Sequence, residues 1–213
     1  MKSKKIYLSL LLLASSSVFA VDSNNSTANT TSQTQTATQN GQNVQSNKDG
    51  EFIAFLITLN KNEVALADLA LTKDMNKQDT DYAKMLKKDH TQGLEKTMEV
   101  SKKTNIDAVD TDMVKDLQQK GQQELSSLSS LQGVDFEKAY IDAMVSGHQS
   151  ALDTINQQFK GHISNGKVKA LMEKTKARVK QHLEKAKKLQ KKLADASTSN
   201  ENDAHNNASN SHN

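Results

Sequence analysis

The chain has 213 residues, with 28 Lys or Arg against 25 Asp or Glu, and it contains neither cysteine nor proline. The lack of cysteine excludes disulfide bonds and thiolate metal sites. Lys2, Lys4 and Lys5 account for the whole excess of positive charge. The remaining chain is therefore neutral, and we do not expect it to bind nucleic acid.

The first twenty residues have the pattern of a secretory signal peptide. Three lysines form a basic segment, an apolar stretch runs from Ile6 to Phe19, and Ala20 supplies a small residue before a cleavage point. We predict cleavage after Ala20 and a periplasmic or secreted protein. No later segment is long and apolar enough to span a bilayer, so the mature chain is predicted to lack a transmembrane segment.

Polar segments of low complexity flank one predicted domain. Residues 21–49 and 196–213 are rich in Ser, Thr, Asn, Gln and Ala, which predicts a disordered linker and a disordered tail. The residues between them, 50–195, suffice for one domain with its own core. Helix-forming residues dominate there and no alternating apolar pattern marks a strand, so the domain is predicted to be all-α.

Apolar residues spaced three and four apart predict five helices, over about 52–74, 78–104, 111–131, 135–160 and 165–195. We expect Asp79 or Thr80 to cap the second helix. The third helix has the weakest pattern and is expected to be interrupted at Gly121. The four stronger helices are predicted to form a bundle, with the weaker one as an additional connecting helix.

In each predicted helix, the apolar residues spaced three and four apart form a line along one face, which we call the seam. Four of the predicted helices carry one polar residue within this otherwise apolar seam. These residues are Glu63, His90, His148 and His182. In an antiparallel helical hairpin, residues equally far from the turn lie side by side. Glu63 and His90 are centred between residues 76 and 77, and His148 and His182 on Asn165, beside the turn signal Gly166. The two pairs could therefore share one buried layer if the hairpins dock in register.

Three imidazoles and a carboxylate are suited to a divalent transition metal such as Zn²⁺, Cu²⁺ or Fe²⁺. Asp89 could add a ligand or accept a hydrogen bond from one. The Glu-x-x-His pattern of di-iron bundles is absent from the domain. Because nucleophile and phosphate-loop motifs are absent too, the sequence does not favour an enzyme.

Two alternatives to simple metal binding stay open. The buried polar layer could serve only to set helix packing, as in a non-catalytic interaction or structural protein of the cell envelope. An oxidoreductase that uses a bound metal is the weaker alternative. Residues 167–195 hold eleven Lys or Arg and three acidic residues, which favours a solvated helix face over a patch for anionic envelope surfaces.

Several short segments, taken together, have a pattern that is known from a protein family. They are Asn62-Glu63-Val64, Asp89-His90, Phe136 to Tyr140 followed by His148-Gln149, and His182-Leu183. In this order they resemble a secreted bacterial family of unknown function, often labelled "predicted outer membrane protein". The resemblance covers residues 52–193 and implies a ferritin-like four-helix bundle with an additional connecting helix. It implies the same four candidate site residues but no established reaction or ligand. Members usually have aspartate where this chain has Glu137.

Overall fold

The computed structural model describes the backbone of residues 33–209 and the side chains of residues 47–196. This part of the chain is helical, without strands. The helices are α1 Gln33–Leu71, α2 Lys77–Thr104, α3 Asp112–Ser129, α4 Gly133–Thr154 and α5 Gly166–Ser209, and a π-helical turn, Ile155–Phe159, follows α4. The all-α prediction is therefore confirmed, while the predicted signal peptide lies outside the described residues.

The first and last helices extend beyond their predicted limits. The backbone is helical over residues 33–49 and 196–209, where composition predicts no regular structure. Neither segment contains proline, and elongating an existing helix costs little once the helix is nucleated. The helical backbone therefore continues past residues 50 and 195, which stay predicted domain limits.

The helices form a bundle of two hairpins joined by α3. The first hairpin pairs α1 with α2, and the second pairs α4 with α5. α3 packs on α1 and contacts α4, and α2 contacts α5, so the two hairpins pack on each other. Within the described residues, no helix has both the length and the apolar character needed to cross a membrane.

Asn76 determines where the second helix begins. Its Oδ1 accepts hydrogen bonds from the backbone N–H groups of Gln78 at 2.8 Å and Asp79 at 3.0 Å. The N-cap is thus Asn76, and the prediction of Asp79 or Thr80 is wrong. The Asp79 carboxylate instead points into the bundle, where its Oδ2 accepts from Asn76 Nδ2 at 2.7 Å.

The loop between α4 and α5 is fastened to α1 by Asp49, a buried carboxylate. Asp49 accepts from Ser164 N at 3.0 Å, Ser164 Oγ at 2.6 Å and Asn165 N at 3.0 Å. Asn165 in turn caps α5 through the backbone N–H groups of Lys167 and Val168. The second turn therefore lies where the sequence predicts it, and the start of α5 is anchored to α1.

α3 is continuous through Gly121, so the predicted interruption is wrong. The glycine leaves room for a side chain of the neighbouring helix, because an added Cβ would overlap the amide of Asn62. Asn62 Nδ2 donates to the Leu117 carbonyl at 2.9 Å. Gly121 thus allows α1 and α3 to approach closely.

Two apolar clusters fill the two halves of the core. One includes Phe52, Leu59, Ala151, Phe159 and Val179. The other includes Leu66, Leu86, Tyr140, Met144 and Ala186. On each of α1, α2, α4 and α5, the polar seam residue lies between the two clusters. The four polar positions therefore form a layer across the middle of the bundle.

Candidate metal centre

Three histidines from three helices converge in this layer. His90 of α2, His148 of α4 and His182 of α5 are each at most 5% exposed. Their ring centroids are 5.2–5.8 Å apart, and one nitrogen of each ring lies within 4.8 Å of the other two. The two hairpins thus dock in register, which the sequence left open.

In each ring, one nitrogen faces a hydrogen-bond acceptor outside the group of three histidines, and we call it the outer nitrogen. The other ring nitrogen is called the inner nitrogen. The pairs are His90 Nδ1 with Asn60 Oδ1 at 3.0 Å, His148 Nδ1 with the Met144 carbonyl at 2.8 Å, and His182 Nε2 with Asp89 Oδ2 at 2.9 Å. Amide, carbonyl and carboxylate oxygens accept hydrogen bonds and cannot donate them. In the neutral form of each imidazole the proton is therefore on the outer nitrogen, and the inner nitrogen keeps its lone pair.

The three inner nitrogens have no hydrogen-bond partner among the described residues. They are His90 Nε2, His148 Nε2 and His182 Nδ1. A buried polar atom without a partner costs about 1–3 kcal/mol. Metal-binding imidazoles have this arrangement, with the outer N–H donating to an acceptor while the inner nitrogen binds the ion. The buried histidine cluster could therefore hold a metal ion.

Burial keeps two of the ligand candidates neutral. It lowers the pKa of His90 to about 4, although the charge of Glu63 acts in the opposite direction. Burial likewise lowers the pKa of His182 to about 4 against the hydrogen bond to Asp89. Although burial alone would raise it, hydrogen bonds from Arg178 and His182 hold the pKa of Asp89 below its usual value. At neutral pH both imidazoles thus have an unprotonated nitrogen ready for an ion, and Asp89 is ionised.

Asn60 is held in the orientation that His90 needs. Its Nδ2 donates to the Leu56 carbonyl at 2.7 Å, which directs Oδ1 toward the imidazole. Gly93 provides the space, because a Cβ there would lie 2.6 Å from Asn60 Oδ1. The proton position on His90 therefore depends on Asn60 and on the small residue opposite it.

Glu63 is buried beside the histidines and stays outside the group whose ligand atoms lie within 4.8 Å of one another. Its Oε2 has no hydrogen-bond partner among the side chains that the structure describes. Its charge affects the pKa of His90. As placed here, the carboxylate would need a side-chain movement to share an ion with all three imidazoles.

A family model described as "domain of unknown function (DUF4142)" matches residues 32–189, which is more than half of the chain. The chain belongs to the DUF4142 family. This result agrees with the resemblance to a family of unknown function. No curated protein and no solved structure gives a significant match.

Two residues of the DUF4142 domain that support the layer were missed in the sequence. Asn60 and Gly93 have the same midpoint in the chain as Glu63 and His90. The hairpin register that pairs Glu63 with His90 therefore also places Gly93 opposite Asn60. A polar residue facing a glycine, one turn from the candidate pair, was the available signal.

α3 brings a further carboxyl group toward the layer. Burial raises the pKa of Glu124 to about 7, and the negative charge of Glu63 adds to the shift. Tyr82 of α2 donates to the carbonyl oxygen of His182 at 3.1 Å and so links α2 with α5. Neither residue stands in the apolar seams that revealed the histidines, and we find no sequence pattern that would have identified them.

Proposed function

We propose that this protein binds one divalent transition-metal ion, Zn²⁺, Cu²⁺ or Fe²⁺, through His90, His148 and His182. Glu63 completes the site as a fourth ligand after its side chain turns toward the ion, and Asp89 supports His182 from behind. The proposal rests on the shared orientation of three buried imidazoles, each with its N–H outward and its lone pair inward. Nitrogen and carboxylate ligands in this ratio suit these metals.

The proposed setting is the periplasm or the extracellular space, because the first twenty residues have the signal-peptide pattern. The proposed architecture is a ferritin-like four-helix bundle in which α3 is the additional connecting helix. Among the described residues one group of potential ligands is suited to an ion. One ion per chain suits metal buffering or protection against metal stress better than bulk storage.

The alternative role, a polar layer that only sets packing in an envelope interaction or structural protein, is less favoured. Buried polar groups that specify packing usually have hydrogen-bond partners. Here six buried side-chain atoms among the described residues have none, and three of them are the inner histidine nitrogens. A bound ion would give these nitrogens a partner, whereas a packing role leaves their cost uncompensated.

Calorimetric titration of metal-free protein with Zn²⁺, Cu²⁺ and Fe²⁺, followed by elemental analysis, tests the proposal. We expect one ion per chain, and a loss of at least tenfold in affinity for each of His90→Gln, His148→Gln and His182→Gln. His162→Gln is the matched control, because His162 is exposed on the α4–α5 loop. Unchanged binding in a variant lacking all three buried histidines would disprove the site.

A further inference from the structure

The proposed ion cannot reach its ligands in the conformation described here. The inner nitrogens of the three histidines are all buried from solvent. Apolar clusters close the bundle core above and below the layer. Some side chain at the edge of the layer must therefore move before an ion can bind or leave.

One cleft reaches the edge of the layer from outside. It lies between α2 and α5, has a volume of about 180 Å³, and is lined by His90 and His182 together with Asn60 and Asp89. The cleft thus meets the outer sides of two of the three imidazoles. A second cleft, between α1 and α3, is lined by none of the three histidines.

A charged pair stands where this cleft meets His182. Asp89 Oδ1 is 2.7 Å from Arg178 Nη1, and Asp89 Oδ2 accepts from His182 Nε2 at 2.9 Å. The Asp89 side chain is 13% exposed, whereas that of Arg178 is 52% exposed. The hydrogen bond from His182 therefore holds Asp89 Oδ2 in place, whereas Asp89 Oδ1 is covered by the half-exposed side chain of Arg178.

Asp89 is also the single acidic residue among those lining the cleft, which include the basic residues Lys96, Lys174 and Arg178. A cation in the cleft is attracted to this one carboxylate and repelled by the lysines and the arginine. Of these three basic side chains, Arg178 matters most, because its guanidinium contacts Asp89 Oδ1, the oxygen that an arriving cation would bind. Movement of Arg178 would expose Asp89 Oδ1, while the other oxygen of the same carboxylate stays hydrogen-bonded to a ligand imidazole.

We propose that Asp89 is a transient docking site for the incoming divalent cation and that Arg178 is the movable cover of this site. The inference rests on the proposed metal function. The guanidinium swings into solvent, the cation takes its place at Asp89 Oδ1, and rotation of the His182 ring away from Asp89 lets the ion pass to the inner nitrogens. Release follows the reverse path, so Arg178 controls the rates of both steps and has much less influence on the equilibrium.

Stopped-flow absorbance with Co²⁺ as the probe tests this with the full chain. We expect Arg178→Gln to raise the association and dissociation rate constants together, each by about tenfold, because the same steric cover is removed from the entry path and the exit path. Their ratio, the equilibrium dissociation constant, should change by less than about threefold. Arg178→Lys, which keeps the charge, should return most of the slow kinetics.

Lys180→Gln is the matched control, since it removes the same charge from an exposed position of α5 that does not line the cleft. Rate constants in Arg178→Gln equal to those of Lys180→Gln would overturn the proposal, as would a change confined to the dissociation constant. Wild-type protein that binds neither Co²⁺ nor any of Zn²⁺, Cu²⁺ and Fe²⁺ at equilibrium would overturn the metal function as well. Binding with rates insensitive to Arg178 would overturn the gate alone. Circular dichroism checks that each variant is folded.

Discussion

At the level of single side chains, the proposed site depends on which nitrogen of each histidine carries the proton. Three different acceptors set this: an amide oxygen for His90, a backbone carbonyl for His148 and a carboxylate for His182. The backbone acceptor of His148 is one turn earlier in the same helix. The other two acceptors are side chains, and substitutions can therefore test them.

Gly93→Ala tests the indirect support of His90. The added methyl group would lie 2.6 Å from Asn60 Oδ1, so Asn60 must leave its position and His90 loses its acceptor. We expect metal affinity to fall about tenfold, in line with the loss of other partners behind a metal ligand. Gly166→Ala is the control, because a Cβ there meets no atom within 4 Å. Equal affinity of the two variants in calorimetric titration would contradict the role of Asn60.

Two buried acidic residues, Asp79 and Glu137, lie away from the histidines, where α2 begins beside α4. Glu137 Oε1 accepts from the backbone N–H of Asn76 at 2.6 Å, and Asp79 is fully buried. Burial, followed by the hydrogen bond to Glu137 and its negative charge, raises the pKa of Asp79 to about 6. The folded protein therefore favours the protonated form of Asp79.

This pair makes stability depend on pH. Between pH 3.8, the usual pKa of aspartate, and about pH 6, the folded protein keeps a proton that the unfolded chain has lost. The stabilisation from Asp79 is thus complete below this window and is lost as pH rises through it. Asp79→Asn keeps a donor at every pH. We expect the variant to match wild type at pH 4 and to exceed it by about 2 kcal/mol at pH 7 in urea unfolding.

Asp116→Asn, an exposed change on α3, controls for the general effect of removing a carboxylate. The stability difference between this variant and wild type should be nearly the same at pH 4 and pH 7. If Asp79→Asn behaved in the same way, the raised pKa of Asp79 would be ruled out.

At the level of helices and loops, the register of α5 depends on how its first turn is anchored. Asp49 holds the preceding loop through three hydrogen bonds. Asp49→Ala should lower the free energy of unfolding by about 3 kcal/mol, because hydrogen bonds to a charged partner contribute about 1.5–3 kcal/mol each and the exposed loop donors regain water. Guanidinium unfolding measures the effect.

Asp153→Ala is the control, because it lies at an exposed position of α4. It should change the free energy of unfolding by less than about 0.5 kcal/mol. A similar loss of stability in both variants would argue against the anchoring role of Asp49.

For the whole molecule, the polar layer separates two apolar clusters that would otherwise form one continuous core. Without an ion, this layer should be a net cost. His148 contributes one hydrogen bond to the Met144 carbonyl, whereas its inner nitrogen has no partner within the described residues. The buried histidines therefore lower the stability of the metal-free protein, as expected where residues are selected for function and not for stability.

His148→Leu distinguishes the metal proposal from the packing alternative. We expect the metal-free variant to unfold within about 1 kcal/mol of wild type or to be more stable, because an unpaired buried polar atom is replaced by an apolar group of similar volume. Metal at a hundredfold excess over its dissociation constant should stabilise wild type by about 2.7 kcal/mol and the variant hardly at all. Thermal unfolding with and without metal measures both effects. A large loss of stability without metal would instead favour a layer that sets packing.

The helices and the two hairpins could be predicted because spacings of three and four repeat along every seam, and burial of an apolar face outweighs most local preferences. Caps were harder to predict. Asn76, Asp79 and Thr80 are all good cap residues, and the choice depends on Glu137, whose Oε1 accepts a hydrogen bond from the backbone N–H of Asn76. Local sequence does not contain that contact, so the predicted start of α2 was displaced.

The amino-acid sequence alone specified the bundle and the height of its polar layer, since periodicity and distance from a turn are properties of the chain. Packing of one hairpin on the other decided which candidate metal-ligand side chains lie close together. It brought the three histidines together, left Glu63 beside them and placed Asp89 behind His182. These outcomes depend on helix rotation and side-chain orientation, which arise only when all the helices fill one core together.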